Sequence, residues 1–329
     1  MKNNIAIVGA TGLVGQELIK LLENSKITVK VLKCFASKKS AGKIINFREK
    51  NIKIEYLCEG CFDNIDIAFF CVGSQVSKEI IHLTKKSKTV VIDLSSAFRM
   101  NNEIPLIIPE INPHAIHKHN GIISSPNCTT TIMLMPIHQL HKKYKIKRII
   151  ASTYQAASGG GIKLMNKLKN DTKEYFDNKN MVLNDPYHYG FNIFLHESTL
   201  HNNKYSEEEL KMIYETRKIL EDDSIQVTAT CVRVPVMRTH SISLNIELEK
   251  SFSFDEVYKT IKNSSNVHII EDFQKNQFAT PYMATEKAST FCSRIRSDLS
   301  NKKSIELWIV GDQLLKGAAL NALQIAQLL

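Results

Sequence analysis

Apolar and polar positions alternate in two rhythms along the first third of the chain. Short, nearly continuous apolar runs at 5–8, 65–72 and 89–94 read as strands covered on both faces. Residues 29–36 and 52–57 are strand-like as well. Between them, 12–23 places Leu13, Leu18, Leu21 and Leu22 at helical spacing, and 77–86 reads as a second helix. Strands separated by helices predict an α/β fold with a Rossmann-like, doubly wound parallel sheet.

The rhythm then changes. Residue 128 begins an apolar helical stretch carrying Ile132, Met133, Leu134 and Ile137, and a strand follows at 148–157. Residues 162–176 are helical in pattern, whereas 177–204 are polar, with Pro186 and Asn-rich turns, and predict an irregular excursion. Ser206-Glu207-Glu208-Glu209 opens the next helix, 206–220, with a capping box, a Ser three residues before a Glu. Strand patterns at 225–234, 240–249, 290–296 and 304–310, with one helix at 254–262, predict an α+β domain on a largely antiparallel mixed sheet. The chain closes on an apolar helix at 314–329.

The 329 residues suffice for two cores. No stretch approaches the roughly 20 apolar residues a membrane span needs. The N-terminus runs into a strand instead of a signal peptide, so a cytoplasmic protein is expected. Seven cysteines scattered through such a chain are expected to be reduced. Cys58 and Cys61 form a CxxC without a second pair at zinc spacing, and no metal site is predicted. The net charge of +10 comes mostly from dispersed lysines. Basic stripes interleaved with aromatics are missing, which argues against nucleic acid as a partner.

Two features carry chemistry. Cys128, in Ser-Pro-Asn-Cys-Thr-Thr at 125–130, stands at a helix N-terminus. Unpaired N–H groups and the helix dipole there favour the reactive thiolate, and the same N–H groups suit an oxyanion. Gly9, Thr11, Gly12, Leu13, Val14 and Gly15 form a GxxGxxG loop between a strand and a helix, a cradle for a dinucleotide pyrophosphate. The next strand ends in Ser37, Lys38, Lys39 and Ser40, with no acid to hold the ribose hydroxyls. Hydroxyls and lysines suit a 2′-phosphate, so NADP is expected over NAD. Together these predict covalent thiol chemistry joined to hydride transfer.

With these residues in place, the chain resembles the aspartate-semialdehyde dehydrogenase family nearly end to end. The landmarks are GATGLVG at 9–15, FASKKSAGK at 35–43, DLSSAFRM at 93–100, SPNCTT at 125–130, STYQAASGGG at 152–161, the run at 215–241 and DQLLKGAALNALQIA at 312–326. The resemblance implies reversible, phosphate-dependent oxidation of aspartate 4-semialdehyde to 4-aspartyl phosphate with NADP. It also implies a homodimer that takes aspartyl phosphate, aspartate semialdehyde and inorganic phosphate. The pathway role implied is lysine (diaminopimelate), threonine and methionine synthesis. An NADP-binding domain over 1–127 with 312–329, and a catalytic and dimerisation domain over 128–311, are expected.

Residue by residue, the resemblance implies Cys128 as the nucleophile that forms a thioester, His240 as the acid–base group and Gln155 as an orienting amide. Arg233 would hold the substrate α-carboxylate and Glu208 its amino group, with Arg99, Lys211 and Asn127 on the phosphate. Three successive glutamates at 207–209 leave the Glu208 and Lys211 register open by one. Ser158, Gly159 and Gln313 would join the cofactor site. Gln313 stands where the family commonly has Asn, and Gly160 where it has Ala. The alternatives weighed are N-acetyl-glutamyl-phosphate reductase, a non-catalytic dinucleotide-binding scaffold and a nucleic-acid-binding protein.

Overall fold

In the computed structural model, residues 2–177 and 185–329 are described. Two compact units emerge, Met1–Asn127 with Gly317–Leu329, and Cys128–Lys316. Residues 312–316 cluster with the second unit, although the sequence grouped them with the first. None of the described helices is long and apolar enough to cross a membrane.

The first unit is built on β1 (Lys2–Val8), α1 (Leu13–Glu23), β2 (Thr28–Phe35), β3 (Ile44–Phe47), β4 (Lys50–Glu55), β5 (Ile67–Phe70), α2 (Ser74–Ile80), β6 (Val90–Asp93) and β7 (Ile122–Ser124). Its sheet runs β3-β4-β2-β1-β5-β6-β7, parallel except for the β3–β4 hairpin. Strand β1 shows why the apolar run is continuous. Ile5 and Ile7 pack with Leu18 and Leu22 of α1 on one face, while Ala6 and Val8 join Phe35, Phe62 and Phe70 on the other. The order reverses between β1 and β5, the switch point at which open α/β sheets take ligands. The helix expected at 77–86 starts earlier, because Gly73 caps it in extended conformation, and it tightens into a 3-10 turn over Ile81–Thr84.

The second unit holds α3 (Cys128–Tyr144), β8 (Ile146–Gln155), α4 (Gly161–Asp177), β9 (Phe194–Leu195), α5 (Glu207–Leu220), β10 (Gln226–Arg233), β11 (His240–Leu248), α6 (Phe254–Lys262), β12 (Val267–Ile269), β13 (Glu271–Asp272), β14 (Gln277–Phe278), α7 (Pro281–Ala284), β15 (Thr290–Ser297) and β16 (Ser304–Gly311). Its main sheet runs β12-β15-β16-β11-β8-β10-β9, and only β12–β15 and β8–β10 are parallel. The mixed, largely antiparallel sheet is as the sequence predicts. Helix α3 is buried along most of its length. It lies so close to β16 that a Cβ on Gly311 would come within 2.8 Å of the Ile132 side chain.

Two expectations need correction. Of the irregular excursion over 177–204, residues 178–184 lie outside the described residues. The remainder contains β9, which pairs antiparallel with the end of β10. The C-terminal run is not one α-helix: Leu315–Ala319 form a π-helical turn before α8 (Leu320–Ala326). Asp312 accepts from the N–H of Leu314 and Leu315 and so fixes where this turn begins. Within the first unit, the buried Asn321 donates to Ile107 O and Ser125 Oγ, both at 3.0 Å, and anchors α8 there.

Candidate active site

Strand register assembles the site in the second unit. Gln155 and Arg233 are direct partners at the carboxyl ends of the parallel pair β8 and β10. The antiparallel neighbour β11 begins there with His240, since Ser241 pairs with Tyr154. Three polar side chains far apart in sequence therefore meet at one end of the sheet, and all three are buried.

His240 is completely buried and its Nδ1 accepts the Ala156 N–H at 3.0 Å. A neutral ring bound in this way carries its proton on Nε2. That Nε2 has no partner among the described residues. Burial, then the positive charge of Arg233, push the imidazole down to about 3, so the ring is neutral at physiological pH. The preceding Thr239 has φ +83°, an outlier for a β-branched residue. Gln313 holds that turn, because its Oε1 accepts the Thr239 N–H at 2.8 Å while its Nε2 donates to Ser158. Gly159 lies over the ring. A Cβ there would sit 3.0 Å from Arg233 Nη1 and 3.1 Å from His240 Nε2.

Arg233 is 3 % exposed. Its Nε and Nη2 clasp the Glu197 carboxylate at 2.9 and 2.8 Å, and Nη1 donates to Ala156 O at 3.3 Å. Gln155 Nε2 donates to Glu208 Oε1 at 3.2 Å, and Lys211 Nζ reaches Glu208 Oε2 at 3.3 Å. The three glutamates of α5 have different tasks. Glu207 meets His201 at the surface, and Glu209 completes the capping box with Ser206. Only Glu208 turns into the cluster.

Cys128 is the first residue of α3 and half-buried. Among the other thiols, burial raises Cys34 and Cys231 to about 12 and drives Cys292 higher still, which suits inert core positions. The CxxC pair stays free, with Cys58 exposed and Cys61 buried. Ligand atoms of Asp171, Glu174 and His188 also lie within 4.8 Å of one another, but Asp171 is held by Lys167 and by the Tyr189 N–H.

The remaining candidates belong to the first unit. The 9–15 loop sits at the switch point, and its glycines are required. Gly9 has φ +86°, with any Cβ 2.3 Å from Cys71 O, and a Cβ on Gly15 would lie 2.3 Å from Gly9 O. Thr11, Gly12, Leu13 and Val14 complete the turn into α1, whose first turn has neither an acid nor a side-chain cap. Its N–H groups therefore suit an anion. Ser37, Lys38, Lys39 and Ser40 form a turn after β2, with Lys38 over the Tyr56 ring at 5.2 Å. Arg99 is buried and donates to Ser125 O and Leu94 O, and Asn127 is buried as well.

Sequence reasoning missed Glu197 and His196. Both follow β9 in the polar excursion, where no periodicity marks a position as buried or inward. His196 is held below its ordinary pKa by burial and by Arg233. The role expected for Gln313 also changes aspect, since both ends of its amide bond within its own unit.

Residues 4–119 match the family model for the semialdehyde dehydrogenase NAD binding domain, and residues 134–316 that for the semialdehyde dehydrogenase dimerisation domain. The chain is 42% identical to an aspartate-semialdehyde dehydrogenase of Prochlorococcus marinus, covering 99% of this chain and 95% of that one. It is 44% identical to one from Helicobacter pylori, covering 98% and 97%. Aspartate semialdehyde dehydrogenase II from Vibrio cholerae, solved in complex with ASA, superposes with a TM-score of 0.94 at 32% identity, covering 100% of this chain and 98% of that one.

Proposed function

The chain belongs to the aspartate-semialdehyde dehydrogenase family, and from that premise we propose that it interconverts 4-aspartyl phosphate and aspartate 4-semialdehyde with NADP and inorganic phosphate. The observation that carries this reading is the buried meeting of Gln155, Arg233 and His240 in the unit whose helix α3 opens on Cys128.

In the reductive direction the Cys128 thiolate attacks the acyl carbon. The C–S bond forms, the C–O bond to phosphate breaks, and phosphate departs with its electron pair. NADPH, when bound, supplies the hydride that turns the resulting thioester into a hemithioacetal, and NADP accepts it back in the oxidative direction. The hemithioacetal alkoxide then collapses, breaking the C–S bond to release aldehyde and thiolate. His240 offers its Nε2–H to the oxyanion that forms in each addition. It acts as a donor here because Ala156 occupies Nδ1, so the neutral ring has no lone pair on Nε2 with which to act as a base.

Arg233 takes the substrate α-carboxylate in a bidentate grip, and Glu208 takes the α-ammonium, oriented by Gln155. Lys211, Arg99 and Asn127 serve phosphate. The 9–15 loop fits a pyrophosphate on the α1 N-terminus, and Lys38 and Lys39 with Ser37 and Ser40 favour a 2′-phosphate. The family resemblance assigns Ser158 and Gly159 to the cofactor as well, and Gln313 supports Ser158. We further propose that the first unit, Met1–Asn127 with Gly317–Leu329, binds the nucleotide and that the second, Cys128–Lys316, carries catalysis and a homodimer interface. The enzyme would act in the cytoplasm, in lysine, threonine and methionine synthesis.

The test follows NADPH absorbance with aspartate semialdehyde and NADP, with and without phosphate, beside Cys128→Ala. Phosphate-dependent NADPH formation, lost in the variant, is expected. A folded, NADP-binding protein that stays silent here but turns over N-acetyl-glutamyl semialdehyde would overturn the substrate assignment.

A further inference from the structure

We propose that Glu197 is a resident counter-carboxylate of Arg233, filling the guanidinium fork until the α-carboxylate of the substrate displaces it. The inference rests on the reading of Arg233 as the substrate-carboxylate site. Glu197 engages the Nε/Nη2 edge of the guanidinium with both oxygens. That edge is one of the two on which a guanidinium grips a carboxylate with two parallel hydrogen bonds. The remaining nitrogen, Nη1, donates to Ala156 O. A substrate carboxylate seeking the same grip must compete with Glu197 directly.

The two partners differ in freedom. Arg233 has 3% of its side chain exposed, against 46% for Glu197. The backbone beneath Glu197 is fixed, since β9 pairs with β10 and the His196 N–H donates to Cys231 O at 2.9 Å. A Glu side chain on that anchored backbone can swing into water, whereas the guanidinium cannot leave. A buried guanidinium with no counter-charge would be costly, so the resident carboxylate stabilises the substrate-free site. The same contact then subtracts from substrate affinity, because only the difference between the two carboxylates reaches KM. The Glu197 carboxyl is destabilised by burial, yet hydrogen bonds and charge from Arg233 hold it below its ordinary range, which fits a pair that is formed in the empty site.

The experiment compares wild type, Glu197→Gln and Glu197→Ala with aspartate semialdehyde, and with 3-aminopropanal, the same aldehyde without its α-carboxylate. Both variants should lower KM for aspartate semialdehyde by about three- to tenfold, the range for a partly screened pair. KM should change more than kcat does, and the gain should vanish with 3-aminopropanal. A KM that rises or stays constant overturns the proposal, and so does an equal fall with both aldehydes. Arg233→Lys separates the premise from the inference. If it raises KM for aspartate semialdehyde while the Glu197 variants lower nothing, Glu197 alone is refuted. If it leaves KM at the wild-type value, the reading of Arg233 falls and the proposal with it.

Discussion

Acidification should destabilise this fold in part through the His240 imidazole. The pKa of His240 falls from 6.5 to about 3 on folding, from burial first and then from the charge of Arg233. The folded value lies below the unfolded one, so between about pH 3 and pH 6.5 the unfolded chain binds more protons. Stability contributed by the neutral ring is therefore complete above about pH 6.5 and is lost as pH falls through that window. Linkage between these two values gives a loss of about 2 kcal/mol from His240 alone on going from about pH 7.5 to pH 5. The perturbation is His240→Gln, which removes the titrating group and retains an N–H near the Nε2 position. Urea unfolding of cofactor-free wild type and variant at the two pH values isolates the effect, because all other titrations are common to both. The wild type should lose about 2 kcal/mol more than the variant across the interval. Parallel losses would show that the ring titrates alike in both states and would refute the donor-locked imidazole. Activity offers an independent check. His240→Gln should keep more activity than His240→Asn, whose amide reaches only the Nδ1 position and which should lose roughly 100- to 1000-fold in kcat.

Three other outcomes are expected. Gly9→Ala forces a Cβ within 2.3 Å of Cys71 O at a φ of +86° and should cost at least about 2 kcal/mol of stability together with NADP affinity, read by thermal denaturation and cofactor titration. Lys38→Glu combined with Lys39→Glu should raise KM for NADP by roughly tenfold or more while KM for NAD changes little, so an equal rise for both cofactors would remove these lysines from the 2′-phosphate. Asn321→Ala removes a buried donor from Ile107 O and Ser125 Oγ and should destabilise the first unit by about 2–4 kcal/mol, measured by denaturant unfolding.

What the sequence determined on its own was local or strictly periodic. Cys128 at a helix start, the capping box from Ser206 to Glu209 and the glycine turn at 9–15 each depend on residues within a few positions of one another. Their physics is complete inside one turn of chain. The alternating parallel elements were legible for the same reason, since a strand covered on both faces needs an unbroken apolar run. Short strands such as β3, β7 and β12 were missed because three or four residues hold too little periodicity to read. The resemblance to a family supplied candidate positions, and the tertiary structure then decided what surrounds each one. Strand register brings Gln155 beside Arg233 and His240 beside the end of β8. Burial, a property of the whole core, makes that imidazole neutral, and the Ala156 N–H, 84 residues away in sequence, selects its tautomer. The helix geometry of α5, seated against β10, chooses Glu208 over its two neighbours. Glu197 meets Arg233 across 36 residues with no pattern to announce it, because a contact between distant segments exists only once the sheet that carries both has closed.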